Sequence, residues 1–185
     1  MSAAGQRRLI GLVGPPGAGK STLAARLAAA DPLAAVLPMD GFHLSQNRLR
    51  ELGRRERMGA PDTFDVEGFA RVLRALRTPA TVTAPSFDRA IEEPVAGAIT
   101  IGRGIRTVYV EGNYLLLWEG IAELLDETWY LELDPAVRRA RLLDRHVLSG
   151  KSPDAAAAWI DEVDEPNARL IAASAARATR TLAVD

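Results

Sequence analysis

A glycine-rich run between an apolar segment and a helical segment constrains this chain more than any other feature. Residues 9–13 are continuously apolar, residues 14–19 are rich in glycine and proline, and residues 21–30 have helical spacing. This order predicts a buried strand, a tight loop and a helix that starts beside the end of the strand. Glycines let the N–H groups of such a loop converge, and the helix N-terminus adds partial positive charge. We therefore expect the loop to hold a phosphate group.

The run also matches the pattern GxxxxGK[ST], in which each position has a chemical role. Lys20 is expected to reach the β and γ phosphates of a nucleotide, and the hydroxyl of Ser21 is expected to bind Mg²⁺. Lysine is informative here, because only two of the 23 basic residues are lysines, Lys20 and Lys151. The alternative is a glycine-rich turn that binds nothing. The predicted ATP-binding residues are Gly14, Pro15, Gly17, Ala18, Gly19, Lys20, Ser21 and Thr22.

Strands and helices alternate along the rest of the chain. Further strands are predicted at residues 34–38, 107–110, 128–133 and 181–184. Helices are predicted at residues 66–76, 115–125, 136–148 and 153–177. Residues 81–84 are a β-rich run, and residues 90–101 form either a hairpin or an irregular excursion. The alternation predicts one domain, residues 1–185, with the three-layer α/β/α fold of P-loop NTPases and a mainly parallel five-stranded sheet.

Composition excludes several classes of protein. The formal net charge is −1, which gives no overall attraction to nucleic acid or to an anionic membrane. The chain has no cysteine, so disulfides, thiolate metal sites and a cysteine nucleophile are excluded. Residues 1–8 lack a signal-peptide core, and every apolar run is shorter than the ~18 residues of a membrane span. We expect a cytoplasmic protein; a homodimer stays open, because pattern alone does not separate a dimer face from core.

Two carboxylates follow predicted strands, where ligands of open parallel sheets lie. Glu111 ends an apolar strand and is expected to hold Mg²⁺ together with Ser21. Asp40 is expected to orient a substrate hydroxyl and to accept its proton. The alternatives are a solvent-exposed carboxylate for Glu111 and a turn aspartate for Asp40. For His43, an exposed loop histidine and a substrate contact are equally compatible with the sequence.

Five segments, in this order, resemble the uridine kinase, phosphoribulokinase and bacterial pantothenate kinase superfamily of P-loop small-molecule kinases. They are the glycine-rich run and residues 40–43, 59–65, 85–89 and 110–116. Within that superfamily, the chain is most similar to bacterial proteins of the nucleoside/nucleotide kinase family, also described as fructose transport system kinases. The similarity covers about residues 8–184.

The resemblance implies a role for each matching position. Asp40 aligns with the catalytic aspartate of the family, and Glu111 aligns with its metal-side acid. Uridine kinases carry Tyr-Asp where this chain has Phe-Asp-Arg near position 88, and their aspartate motif usually lacks the histidine. These differences argue against a pyrimidine nucleoside as the substrate. The positions that match the acceptor pocket of the family are Phe42, His43, Asp88, Arg89 and Tyr114.

Two groups of arginines carry further expectations. Arg138, Arg141 and Arg145 are spaced along one face of a helix at about residues 135–152, where P-loop kinases carry a mobile lid. Guanidinium groups there would neutralise charge on the phosphates and exclude water, and the resemblance favours Arg141 and Arg145. The alternative is a solvated arginine face. The arginine-rich residues 48–57 either attract an acidic or phosphorylated acceptor or are a soluble helix face.

The sequence thus predicts a kinase that uses ATP and Mg²⁺ to phosphorylate a hydroxyl of a small metabolite, such as a nucleoside, a sugar or a pantothenate-like compound. The predicted catalytic residues are Lys20, Asp40, Arg141 and Arg145. The alternative is an ATP-binding regulatory protein or an ATPase without an acceptor, for which Asp40 would have no purpose. A GTPase lacks support, because neither lysine follows an asparagine as the base-recognition motif requires. No nucleic acid or membrane partner is expected.

Overall fold

A computed structural model of the chain describes residues 6–184. Within that range, the strands are β1 (Arg8–Val13), β2 (Ala34–Pro38), β3 (Val82–Asp88), β4 (Glu93–Ile101), β5 (Thr107–Gly112), β6 (Glu127–Glu132) and β7 (Arg180–Ala183). The α-helices are α1 (Lys20–Ala29), α2 (Gln46–Glu51), α3 (Val66–Leu76), α4 (Pro135–Leu148), α5 (Pro153–Trp159) and α6 (Glu165–Ala172). Residues 1–5 and 185, which the predicted domain includes, lie outside the described residues.

Five parallel strands form the central sheet in the order β2–β5–β1–β6–β7. The central strand β1 is apolar on both faces, because alternate side chains of a strand point in opposite directions. Leu9 and Val13 pack into the core that includes α3, whereas Ile10 and Leu12 pack into the core beside α1. Helices therefore cover both faces of the sheet. The predicted three-layer α/β/α fold with a mainly parallel five-stranded sheet is confirmed.

Outside this sheet, β3 and β4 pair as an antiparallel hairpin, which is one of the two structures predicted for residues 90–101. The strand β3 continues past Pro85, where the sequence predicts an end. The register of the hairpin shifts between Ala84 and Ser86, so Pro85 lies where no regular ladder bond is lost. Hereafter "the hairpin" means β3, β4 and the turn that joins them.

Residues 115–125 do not form the predicted α-helix. They form turns and a short 3₁₀ segment, Ala122–Leu124, and Gly120 interrupts them with a φ of 74°. Leu115, Leu116 and Ile121 are fully buried in the core. These residues are apolar because they pack in the core against the sheet, and their spacing happens to match that of an amphipathic helix.

Residues 153–172 are helical throughout, as predicted, but this helix contains a π-helical turn and ends before residue 177. A π-helical turn, Ile160–Asp164, separates α5 from α6, and a 3₁₀ turn, Ala175–Arg177, follows α6. Pro166 lies just after the π-helical turn, where the regular pattern of helix hydrogen bonds is already changed. No helix within residues 6–184 is long and apolar enough to cross a bilayer.

Candidate active site

A cavity of about 870 Å³ lies where the strands of the central sheet end. Its wall includes the glycine-rich loop, the predicted acids Asp40 and Glu111, and the predicted lid arginines Arg141 and Arg145. The fold therefore brings together in one place groups that lie up to about 130 residues apart in the sequence.

The conformation of the loop depends on glycine. Gly17 and Gly19 have φ values of 82° and 87°, in the left-handed region that residues with a Cβ rarely adopt. A Cβ on Gly17 would also lie 3.0 Å from Cγ of Leu142 and 3.1 Å from Cγ of Arg138, so α4 packs directly against the loop. Because α1 starts at Lys20, the N–H groups of its first turn are available to an anion.

Lys20 is folded back onto the loop. Its Nζ donates hydrogen bonds to the carbonyl oxygens of Gly14 (2.8 Å) and Pro15 (3.0 Å). Burial lowers the pKa of Lys20 to about 8, although the negative charges of Glu111 and Asp40 oppose that shift. Gly14 and Pro15 thus hold the lysine, whereas the predicted residues 17–22 line the cavity itself.

Ser21 and Glu111 form the metal-type pair that the sequence predicts. The Ser21 hydroxyl donates to Oε1 of Glu111 at 3.0 Å, and burial raises the pKa of Glu111. No three His, Cys, Asp or Glu side chains within residues 6–184 are grouped as a metal site. A hydroxyl and a carboxylate beside a phosphate loop do fit Mg²⁺, which is usually held by one or two side chains, phosphate oxygens and water.

Asp40 faces the loop from the strand next to that of Glu111, because Pro38 pairs with Glu111 in the sheet. It lies in a 3₁₀ turn, Met39–Phe42, and its Oδ2 accepts a hydrogen bond from Nη2 of Arg89 at 2.6 Å. The negative charge of Asp40 contributes to the raised pKa of Glu111. The two carboxylates and the loop therefore face one another.

The hairpin reaches Asp40 because the next residue is glycine. A Cβ on Gly41 would lie 2.1 Å from the carbonyl oxygen of Pro85, which is far inside any real contact distance. The backbone of β3 consequently lies directly on the turn that carries Asp40. Any side chain at position 41 would separate the hairpin from the site.

His43 is held as a neutral ring on the cavity wall. Its Nδ1 donates to the carbonyl oxygen of Asp40 at 2.7 Å, which leaves Nε2 without a proton in the neutral ring. Burial lowers the pKa of His43. Its ring centroid lies 4.0 Å from that of Phe64 and 4.5 Å from that of Phe87. Phe64 and Phe87 also line the cavity, so this part of the wall is aromatic.

Three other residues that the resemblance assigns to the acceptor pocket have structural partners. Phe42 is 4% exposed and packs edge-on against Phe69 in the core. The carboxylate of Asp88 accepts from the N–H of Ala90 at 2.8 Å and so shapes the hairpin turn. Neither Phe42 nor Asp88 lines the cavity in this structure, so their contact with a substrate stays a prediction. Tyr114 does line it, but its hydroxyl donates to the carbonyl oxygen of Gly59 at 2.7 Å.

The three arginines of α4 separate into two roles. Arg141 and Arg145 line the cavity, as predicted, and the charge of Arg145 contributes to the lowered pKa of Lys20. Arg138 is 4% exposed and donates to Oε1 of Glu165 at 2.5 Å. It braces α4 between the loop and α6, because its side chain packs on Gly17.

Carboxylates pair with most of the arginines of residues 48–57, and two of these carboxylates lie outside that stretch. We call residues 44–63 the arm; it is closed at its base by a hydrogen bond from the N–H of Leu44 to the carbonyl oxygen of Thr63 (2.9 Å). The arginine–carboxylate pairs of the arm are Arg48–Glu51, Arg54–Asp62, Arg57–Asp62 and Arg55–Glu92. Attraction of a phosphorylated acceptor by this cluster, one of the two predicted alternatives, is weakened accordingly.

Sequence reasoning missed the part of the wall that follows α4. His146 and Asp164 are both buried and share a 2.8 Å contact between Nε2 and Oδ2. Trp159 and Asn167 line the cavity beside them. Two signals point to this wall: the chain has only two histidines, and a proline, Pro166, lies inside the predicted helix. The π-helical turn that carries Asp164 is a feature frequent at functional sites.

Comparisons with known proteins agree with this geometry. No family model matches the chain. An Aspergillus versicolor protein named as ATP-dependent kinase-like is 44% identical over 133 residues, which cover 65% of this chain and 77% of that protein. A Schizosaccharomyces pombe protein named as a candidate uridine kinase is 41% identical over 161 residues, which cover 78% of this chain and 68% of that protein.

A solved structure extends the similarity to nearly the whole chain. The crystal structure of a protein named as a candidate fructose transport system kinase, from Silicibacter sp. TM1040, superposes with a TM-score of 0.92 at 41% identity. The superposition covers 98% of this chain and 92% of that protein.

Proposed function

Because this chain belongs to the P-loop kinase superfamily, we propose that it transfers the γ-phosphoryl group of ATP to a hydroxyl of a small metabolite. One observation carries the proposal: a single cavity contains the phosphate loop, the Ser21–Glu111 pair and the carboxylate of Asp40. The first two are suited to a nucleotide and its cation, and the third is suited to an acceptor.

The donor end of the cavity would hold ATP by its phosphates. N–H groups of the loop and the start of α1 would bind the phosphate oxygens, and Lys20 would exchange its carbonyl partners for them. Mg²⁺ held by Ser21 and Glu111 would neutralise negative charge on the phosphate oxygens. The guanidinium groups of Arg141 and Arg145 would add positive charge from α4.

Asp40 would serve the acceptor. As the acceptor oxygen bonds to the γ-phosphorus, the bond from that phosphorus to ADP breaks and ADP leaves with the electron pair. The proton of the acceptor hydroxyl passes to the carboxylate of Asp40. The protein contributes position and charge, because phosphoryl transfer needs little covalent assistance.

The surroundings of Asp40 favour an acceptor that carries no phosphate of its own. Four of the five arginines of the arm are already paired with carboxylates, and the nearby wall is formed by His43, Phe64 and Phe87. An aromatic wall suits the apolar face of a sugar or a planar ring. Nucleosides, sugars and pantothenate-like compounds are therefore preferred over sugar phosphates.

An acceptor screen tests the proposal. Purified protein is incubated with Mg²⁺ and ATP and with separate pools of nucleosides, sugars, sugar phosphates and pantothenate-like carboxylic acids, and ADP is measured. We expect one of the pools without phosphate to raise ADP formation and Asp40→Asn to abolish that increase. ADP formation that no pool changes, and that Asp40→Asn leaves intact, would favour the ATPase or regulatory alternative.

A further inference from the structure

The ion pair between Arg89 and Asp40 involves the carboxylate that the proposed reaction needs as a proton acceptor. Nη2 of Arg89 donates to Oδ2 of Asp40 at 2.6 Å, a short, charge-assisted contact. The guanidinium group occupies the side of Oδ2 at which this oxygen would otherwise accept a proton from a hydroxyl or a water molecule. Without an acceptor, the site therefore holds its base in a paired state.

The hairpin turn is built to present Arg89. The carboxylate of Asp88 binds the N–H of Ala90 on the far side of Arg89, which fixes the turn around it. Glu92, three residues further on, has a φ of 52°, and within residues 6–184 it is the only non-glycine residue in that region. Such strain persists only where surrounding contacts enforce it.

Contacts with the arm hold this turn in place. Arg55 donates to Glu92 at 2.8 Å and to the side chain of Gln46 at 2.6 Å, and the backbone N–H of Gln46 binds the carboxylate of Glu93. The turn is thus supported from its outer side, while Arg89 points from it to Asp40. The side chain of Arg89 is 75% exposed, so it can leave Asp40 without unpacking anything.

We propose that Arg89 is a gating residue that withholds Asp40 from water until an acceptor displaces its guanidinium group. This inference rests on the proposed kinase function. Water is the competing nucleophile in an open cavity, and its transfer would be wasted hydrolysis. In that step the water oxygen bonds to the γ-phosphorus, the bond to ADP breaks with the electron pair leaving on ADP, and the water proton passes to Asp40.

A purely structural role for Arg89 predicts a different outcome. If the pair of Arg89 with Asp40 only held the hairpin in place, losing that pair would loosen the turn as much as losing the Arg55–Glu92 pair would. Exposed ion pairs contribute little to stability, so neither loss should unfold the protein. Arg55→Gln is therefore the matched control, since it removes a pair from the same turn and leaves Asp40 untouched.

The test measures ATP hydrolysis with Mg²⁺ and no acceptor, which requires no knowledge of the substrate. We expect Arg89→Gln to raise the rate of ATP hydrolysis about three- to tenfold. This is a fraction of the roughly 10²–10⁴-fold rate increase that a positioned general base contributes. Arg89→Lys, which keeps the charge, should raise the rate less than Arg89→Gln does. Arg55→Gln should not change it, and Asp40→Asn added to Arg89→Gln should remove the increase.

Two readouts besides turnover accompany these rates: ATP affinity by calorimetry and the thermal unfolding midpoint, neither of which should change in Arg89→Gln. An unchanged or lower hydrolysis rate in that variant, or an equal rise in Arg55→Gln, would overturn the gating role. Those outcomes leave the kinase proposal standing as long as wild-type protein binds ATP. Absence of ATP binding in wild-type protein would instead overturn the proposed function itself.

Discussion

The two ends of the cavity are built by opposite means. At the donor end, backbone conformation and buried side chains fix the site: Gly17 has a left-handed conformation, Lys20 is held by carbonyls, and Arg138 is buried against the loop. At the acceptor end, exposed ion pairs such as Arg57–Asp62 and Arg89–Asp40 hold the arm and the hairpin. In the proposed function, phosphate recognition would therefore be rigid, whereas acceptor recognition would depend on contacts that exchange easily with water and ligand.

The largest difference in turnover is expected between substitutions of Asp40 and Asp88, the two aspartates that the resemblance assigns to the acceptor side of the site. Asp40→Asn should lower acceptor-dependent turnover by about 10²–10⁴ while leaving ATP affinity unchanged, because only the proton acceptor is lost. Asp88→Asn should change turnover little, since Asp88 caps the hairpin turn. Steady-state kinetics with the acceptor found by the screen checks both. Equal losses in the two variants would contradict this division of roles.

Buried and exposed arginines of α4 should differ in their effect on stability. Arg138→Ala removes a buried partner of Glu165 and should lower the free energy of unfolding by about 2–4 kcal/mol. Its neighbour Arg139 forms an exposed pair with Asp161, and Arg139→Ala should leave the unfolding curve unchanged. Urea denaturation measures both. A similar small effect for the two variants would show that Arg138 does not brace the loop.

Gly41→Ala should separate the hairpin from Asp40. The added methyl group would collide with the carbonyl oxygen of Pro85, and overpacking of this kind costs about 1–3 kcal/mol of stability. Turnover should fall as well, because Arg89 and the hairpin wall would move. Gly104→Ala is the control, since a Cβ there meets nothing within 4 Å. Equal thermal midpoints for the two variants would be inconsistent with the close approach.

The ATP affinity of the donor end should depend on pH through Lys20. Burial places the pKa of Lys20 at about 8, so the free protein loses this proton as the pH rises from 7 to 9, whereas bound phosphates favour the charged form. The affinity for ATP should fall about tenfold over that range. Calorimetry at pH 7, 8 and 9 measures it, with Lys20→Ala as the reference that lacks this group. An affinity for ATP that is equally strong at pH 7, 8 and 9 would contradict the lowered pKa of Lys20.

The smallest effect is expected for a single ion pair of the arm. Arg57→Ala removes a contact with Asp62 that is about half exposed at both partners, and should cost less than about 1 kcal/mol. Because Arg54 also contacts Asp62, that carboxylate keeps a partner. Urea denaturation measures the change in the free energy of unfolding. A change several times larger than about 1 kcal/mol would show that the arm is rigid, contrary to this account.

The sequence predicts the donor end well because its signals are local. The glycine-rich loop, Lys20 and Ser21 are contiguous, and the strands of the central sheet are short apolar runs buried on both faces. Residues 34–38, for example, are predicted and observed as β2 with the same bounds. Glu111 follows from the rule that ligands lie beyond strand ends.

The acceptor end is less accessible to sequence because its contacts join distant residues without periodicity. Arg89 and Asp40 are 49 positions apart, and Trp118 donates to the carbonyl oxygen of Pro61, 57 positions away. The composition of residues 48–57 predicts a cationic stretch, yet Asp62 and Glu92 from outside that stretch neutralise much of its charge. The contact between His146 and Asp164 likewise depends on the π-helical turn, which no periodic pattern predicts.

Calorimetric titration of ATP with Mg²⁺ into wild-type protein and Lys20→Ala tests the central claim, that the loop after β1 binds a polyphosphate. We expect wild-type protein to bind with a Kd between about 1 μM and 1 mM, the usual range of substrate affinities. Lys20→Ala should bind about thirtyfold more weakly or worse, because loss of a buried charge partner costs 2 kcal/mol or more. Its circular dichroism should match wild type. Equal affinities, or no binding by wild-type protein, would contradict the account.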